Sequence, residues 1–183
     1  MNVLIIPGYG DRQDYIDRTT RNWDKRYGIK PQVYVFGWNG EANSYEEKWQ
    51  RFDEKLQQLH KTAIIGISAG ASVAVRALQE HPDEITKVIT VCGPVHADKM
   101  NPRTLHNRFP VLERSLEHLS LKGLEAKRVM TVRPMYDQLV PIDAMVIDGA
   151  QDVRLRMVRH IPSVLLGIFG YGKTMSNFIK EQS

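Results

Sequence analysis

Ala63-Ile64-Ile65-Gly66-Ile67-Ser68-Ala69-Gly70 opens as an apolar, β-branched run and closes on small residues, with a serine between two glycines. The run Ala63–Ile65 reads as a strand, and Ala69–Leu78 reads as a helix that packs small residues and valines on a sheet before His81-Pro82 ends it. A strand that turns directly into a helix implies a parallel sheet with helical crossovers, so further short strands are expected on both sides of this stretch. They are found at Val3–Ile6, Val33–Phe36, Val88–Val91, Val129–Val132 and, more weakly patterned, Val153–Met157. The first five strands are near-continuously apolar, as strands buried on both faces are.

The intervening segments carry helical spacing. Trp49, Phe52, Leu56 and Leu59 fall on one face of Tyr45–Leu59, and acidic and basic residues crowd the other. Tyr15–Tyr27, Pro110–His118 and Lys173–Gln182 are further expected helices. The interval His96–Arg128 is longer than a crossover helix needs, which predicts a small cap or lid at 96–128. The expected fold class is therefore α/β, a mostly parallel sheet flanked by helices, in a single domain spanning 1–183.

Composition narrows the function classes. The 183 residues are 42% hydrophobic and 25% charged, ordinary for a globular chain with one core. A surplus of 25 basic over 21 acidic residues is slight and interspersed, and with no recognised binding motif it does not predict a nucleic-acid partner. Cys92 is the one cysteine, so no intrachain disulfide forms, and the N-terminal apolar run is too short for a signal peptide. The stretch Val164–Phe169 is too short for a membrane span. A soluble, cytoplasmic protein is expected.

Gly66–Gly70 matches G-x-S-x-G, which acquires meaning at a strand-to-helix turn, where the serine hydroxyl is lifted clear of the sheet. A serine that only caps the following helix is the structural alternative. Serine is a weak nucleophile at neutral pH and needs a histidine base, itself oriented by an acid. Asp137 follows the strand Val129–Val132, and Asp143, Asp148 and Asp152 compete with it. His160 follows the strand at Val153–Met157 and alone comes after both serine and acid; His60, His81, His96, His106 and His118 lie elsewhere. The order Ser68, Asp137, His160 puts all three at carboxyl ends of strands. An oxyanion would need two preorganised N–H donors, one of them from Ala69 after the serine. The glycine-rich turn Pro7-Gly8-Tyr9-Gly10 offers a place for the second.

These motifs, with Ile5-Ile6-Pro7-Gly8-Tyr9-Gly10, Gly66–Gly70, the Asp-x-x-Val-Pro stretch from Asp137, and His160, resemble the α/β-hydrolase superfamily, in particular small serine hydrolases similar to retinoblastoma-binding protein 9. The resemblance spans nearly the whole chain. It implies a three-layer fold, a catalytic triad of Ser68, Asp137 and His160, an oxyanion hole from the N–H groups of Tyr9 and Ala69, and hydrolysis of an ester, thioester or amide of a small-molecule acyl substrate through an acyl-enzyme. Such chemistry requires no metal and no organic cofactor. Many members carry His before the nucleophile and Gly before the triad histidine, where this chain has Ile67 and Arg159.

Two other readings compete. Gly167-Ile168-Phe169-Gly170-Tyr171-Gly172-Lys173-Thr174 matches the phosphate-cradling pattern G-x-x-x-x-G-K-[ST], after a short apolar run Val164–Leu166. Too little chain follows to supply the rest of a nucleotide site, so two terminal helices broken by glycines, with Lys173 exposed, are expected instead. A hydrolase fold kept as a silent interaction protein is the third reading. Within the cap interval, Lys99, Arg103, Arg108, Arg114, Lys122 and Lys127 read as a solvated helix face. Cys92, beside Gly93-Pro94, reads as a small buried residue near the pocket wall.

Overall fold

The computed structural model describes residues 1–181. Six strands, β1 (Asn2–Ile6), β2 (Lys30–Val33), β3 (Thr62–Ile67), β4 (Ile85–Val91), β5 (Val129–Tyr136) and β6 (Gln151–Val158), form one sheet in the order β2-β1-β3-β4-β5-β6. Every neighbouring pair is parallel. The chain leaves β1 toward β2 and returns to place β3 on the other side of β1. That reversal opens a crevice at the carboxyl ends of β1 and β3, the place where open α/β sheets bind ligands.

The helices are α1 (Gln13–Thr20), α2 (Trp23–Tyr27), α3 (Tyr45–Gln57), α4 (Gly70–Glu80), α5 (Pro102–Arg108), α6 (Pro110–Glu117), α7 (His160–Gly170) and α8 (Gly172–Lys180). Alternate strand residues feed two cores, one on each face. On one face Leu4, Ile6, Ile64 and Val88 meet Phe52 and Leu56 of α3, Val73 and Ala77 of α4, and Val111 and Leu116 of α6. On the other, Ile5, Ile65, Ile89 and Val132 meet Ile16 of α1, Trp23 of α2, Ile168 of α7 and Phe178 of α8. The three-layer α/β architecture expected from the strand pattern is the one observed. Among the described residues no helix is long and apolar enough to cross a membrane.

Several boundaries differ from the sequence reading. The second strand is Lys30–Val33 rather than Val33–Phe36. Among the described residues its one partner is β1, which gives way to Pro7 just beyond Ile6; Tyr34 N–H donates to Ile5 O at 2.9 Å, and the aromatic run then leaves the ladder. Phe36 and Trp38 are apolar because they fill the core, not because they extend the sheet. The expected helix Tyr15–Tyr27 is two helices. The hydroxyls of Thr19 and Thr20 donate to the carbonyls of Tyr15 and Ile16, which loosens the turn before Arg21-Asn22. At the C-terminus α8 ends at Lys180, and Gln182 of the expected helix lies outside the described residues.

Within 96–128, α5 and α6 lie over the carboxyl edge of the sheet. Asn101 caps α5 by accepting from Thr104 N–H at 3.2 Å, with Pro102 in the first turn. Helix α6 buries Val111, Leu112, Ser115 and Leu116, and the Ser115 hydroxyl hydrogen-bonds that of Ser72 on α4 at 2.7 Å.

Candidate active site

Ser68 stands between β3 and α4 with φ of 51°, a left-handed conformation that a side chain adopts only under constraint. The constraint is visible: Ser68 N–H donates to Val91 O on β4 at 2.8 Å, and Ser68 O accepts from Ala71 N–H at 3.0 Å. The flanking glycines permit the fold to close around this turn. A Cβ on Gly66 would lie 2.3 Å from Gly70 O, and one on Gly70 would lie 2.4 Å from Ile6 O on β1. The amino end of α4 adds partial positive charge beside the serine.

His160 opens α7 immediately after β6. Its Nε2 lies 2.8 Å from Ser68 Oγ, and its Nδ1 lies 2.7 Å from Asp137 Oδ2. The Asp137 side chain is 0% exposed and that of His160 is 9%. The other Asp137 oxygen accepts from the N–H groups of Leu139 at 2.8 Å and Val140 at 3.0 Å, which fixes the carboxylate in its turn. With Nδ1–H donating to the carboxylate, Nε2 is left as an acceptor for the serine proton. The tertiary fold thus brings together residues 69 and 23 positions apart in the chain.

Asp152 and four of the competing histidines are occupied elsewhere. Asp152 receives two hydrogen bonds of 2.7 Å from Arg133 and one of 3.2 Å from Arg154. Burial works to raise its pKa, but the arginine hydrogen bonds and charges outweigh it and hold the carboxyl below its ordinary range. His81 contacts Asp53, His96 contacts Val146 O, His106 contacts Glu113, and His118 contacts Glu46. Neither Asp143 nor Asp148 bonds to His160.

The backbone N–H groups of Tyr9 and Ala69 have no hydrogen-bond acceptor among the described residues. Both residues line a cavity of about 450 Å³ that also contains Ser68 and His160. Trp38 Nε1 donates to Pro7 O at 2.8 Å, and Asp11 accepts from the N–H groups of Gly37 and Trp38, which pins the loop that carries Tyr9. The Tyr9 ring packs edge-on against Phe109 with centroids 4.7 Å apart. Its phenol pKa is raised, first by burial and then by the charge of Asp11.

Apart from Arg12 at its mouth, the rest of the cavity wall is largely apolar. Met100, Phe109 and Leu112 come from the 96–128 segment, and Tyr15, Ile16, Ile161, Val164, Leu165 and Ile168 come from α1 and α7. Sequence reading missed the α7 wall, although Ile161, Val164, Leu165 and Ile168 fall at i, i+3, i+4 and i+7 and so share one helix face. It also missed Gln138, whose side-chain oxygen accepts from His160 N–H at 3.2 Å. None of the six basic residues singled out in 96–128 lines the cavity. Lys99 and Arg114 are paired with acids.

Cys92 is buried at the end of β4, and its thiol pKa is driven far up, first by burial and then by the charge of Asp137. That makes it unreactive as a nucleophile. The nucleotide reading is overturned. Val164–Leu166 belongs to α7, Gly167–Gly170 is its last turn, and Gly172-Lys173-Thr174 opens α8, so no strand precedes the glycines and no loop cradles a phosphate. Gly167 serves packing instead, since a Cβ there would lie 2.9 Å from Val91 Cγ1. The side chain of Lys173 is exposed.

The family model for serine hydrolases matches residues 3–159 of the chain. The chain belongs to the serine hydrolase family. The match stops one residue before His160, so the histidine rests on the geometry above. Among solved structures, a hydrolase from Oleispira antarctica superposes with a TM-score of 0.69 at 12% identity, covering 99% of this chain and 91% of the other. The ydeN gene product from B. subtilis gives 0.69 at 16%, covering 98% and 99%. The monoacylglycerol lipase of Paleococcus ferrophilus gives 0.68 at 13%, covering 97% and 93%. These likenesses are likenesses of fold. No curated protein matches the chain in sequence.

Two departures from the family pattern have different weight in the structure. Ile67, where many members of this hydrolase family carry His, is a buried end of β3 in the core under the cavity. Arg159, where many carry Gly, adopts φ of 77° and ψ of 144°, a backbone conformation that glycine alone enters freely.

Proposed function

We propose that this serine hydrolase cleaves an ester with an apolar acyl group through a covalent acyl-enzyme, with Ser68 as nucleophile, His160 as general base and then acid, and Asp137 as the group that orients His160. The observation that carries the reading is the continuous chain Ser68 Oγ to His160 Nε2 to Asp137, at 2.8 and 2.7 Å, opening into an apolar cavity. His160 takes the serine proton as Oγ attacks the acyl carbon, and Asp137 stabilises the imidazolium that forms. The N–H groups of Ala69 and Tyr9 hold the oxyanion, which needs donors aimed at charge that develops only in the transition state. The protonated His160 then gives its proton to the leaving oxygen. Water, deprotonated by the same histidine, releases the acyl group.

The single-domain chain carries 96–128 as a cap that sets the depth of the acyl site through Met100, Phe109 and Leu112. Every step uses side chains and N–H groups of the chain itself, with no metal or organic cofactor in a role. A lone, buried thiol suits a reducing cytoplasm.

Labelling with a fluorophosphonate probe, followed by mass spectrometry of the adduct, tests the reading against a catalytically silent fold. Modification confined to Ser68, absent in Ser68→Ala and in His160→Ala, is expected. Absence of modification in well-folded protein would refute it.

A further inference from the structure

The rim of the cavity gathers exposed apolar side chains. Large hydrophobic side chains that stay exposed are usually scattered singly. Here Met135, Tyr136, Leu139, Val158 and Ile161 come together at the carboxyl ends of β5 and β6. Tyr136 pairs in register with Val158, Met135 precedes Tyr136, and Gln138 ties the Leu139 loop to the start of α7, which carries Ile161. Met135 is 67% and Ile161 65% exposed, and the other three are each about half exposed. Leu139 and Ile161 also line the cavity, so this apolar surface runs without interruption into the space in front of Ser68.

The same edge carries positive charge. Arg12 lines the cavity mouth, Arg156 lies two residues before Val158 on β6, and Arg159 follows directly. All three are exposed, and none forms an ion pair among the described residues. Three carboxylates from the same segments are already engaged: Asp11 by Gly37 and Trp38, Asp137 by His160, and Asp152 by Arg133 and Arg154. Arg159 also keeps its side chain at a backbone cost, since a non-glycine residue at φ 77° is strained.

We propose that this rim seats the enzyme on an anionic lipid surface, with the apolar side chains entering the acyl boundary and Arg12, Arg156 and Arg159 meeting headgroup phosphates. Apolar burial together with basic residues at the boundary is how a soluble domain binds such a surface. A second copy docking through the same face would bring the like-charged arginines toward one another, an arrangement that opposes association. The proposal rests on the acyl-hydrolase reading only for its purpose: a lipid-like ester would pass from the surface into the cavity without crossing water.

The test is flotation of Ser68→Ala protein with vesicles of pure phosphatidylcholine or of equimolar phosphatidylcholine and phosphatidylglycerol. Binding to the mixed vesicles, weakened by added salt and stronger than to the neutral ones, is expected. Arg156→Gln should lower the partition about fivefold, the effect of one basic side chain near an anionic surface, and Met135→Asp should abolish it. In the Ser68 background both variants should melt like wild type and hydrolyse a soluble short-chain ester at the same rate, because neither residue touches the cavity. The proposal is overturned by absence of binding to the mixed vesicles or by binding that survives both substitutions. A dimer in sedimentation that Met135→Asp dissociates would overturn it in favour of self-association. Because binding is read with Ser68 removed, it stands or falls separately from hydrolysis.

Discussion

Replacing Asp137 by asparagine changes one charge and almost no volume. The carboxylate lies 2.7 Å from His160 Nδ1, with its side chain fully shielded from water. At an effective dielectric near 20, a unit negative charge at that separation stabilises the imidazolium by about 6 kcal/mol. The asparagine oxygen can keep the N–H groups of Leu139 and Val140, which turns its amide N–H toward Nδ1 and forces the proton onto Nε2. That tautomer cannot accept the proton of Ser68. A loss of roughly ten-thousandfold in kcat, about 5 kcal/mol of barrier, is therefore expected, with KM little changed. Stability should fall by only about 1–2 kcal/mol as charge-assisted hydrogen bonds become neutral ones. The assay is stopped-flow hydrolysis of a nitrophenyl ester, accompanied by thermal melting. A loss below about a hundredfold in folded protein would refute the assignment, as would an equal loss in Asp143→Asn or Asp152→Asn.

Three further outcomes follow from local geometry. Arg159→Gly should stabilise the protein by about 1–2 kcal/mol by relieving strain at φ 77°, read as a rise of a few degrees in Tm; an unchanged or lower Tm would count against the strain. Gly70→Ala should unfold or severely destabilise the protein, because its Cβ would sit 2.4 Å from a β1 carbonyl; denaturant titration showing wild-type stability would contradict that packing. Cys92, whose pKa is driven up by burial and by Asp137, should stay protonated at pH values where an exposed thiol, with a pKa of about 8.5, is half ionised. Native protein should resist iodoacetamide at such pH and react only after unfolding, and labelling of the native form would show the site to be open.

The motif Gly66–Gly70 was legible because its chemistry is local: strand, sharp turn and helix lie within a few residues, and glycine is required at both shoulders. The strand runs at 3–6, 63–65, 88–91 and 129–132 were legible for a similar reason, since strands buried on both faces have almost no polar residues. Local pattern failed where partners set the outcome. Tyr34 and Phe36 look like strand residues, yet β1 stops offering carbonyls and the aromatic side chains serve the core instead. The phosphate-loop letters at 167–174 describe two helix ends, because glycine is equally suited to a loop and to a helix pressed on Val91.

The sequence by itself determined the α/β class, the strand-to-helix turn that carries Ser68 and the succession of a candidate serine, candidate acids and a candidate histidine along the chain, all properties of short segments and their succession. Only the tertiary structure decided which of four aspartates meets His160, for that depends on where the loop after β5 closes against the start of α7. It alone joined Met100, Phe109 and Leu112 to the α7 face as one cavity wall, and gathered Met135, Tyr136, Leu139, Val158 and Ile161 on one rim. Exposure and adjacency arise when distant segments pack, and no single segment encodes them.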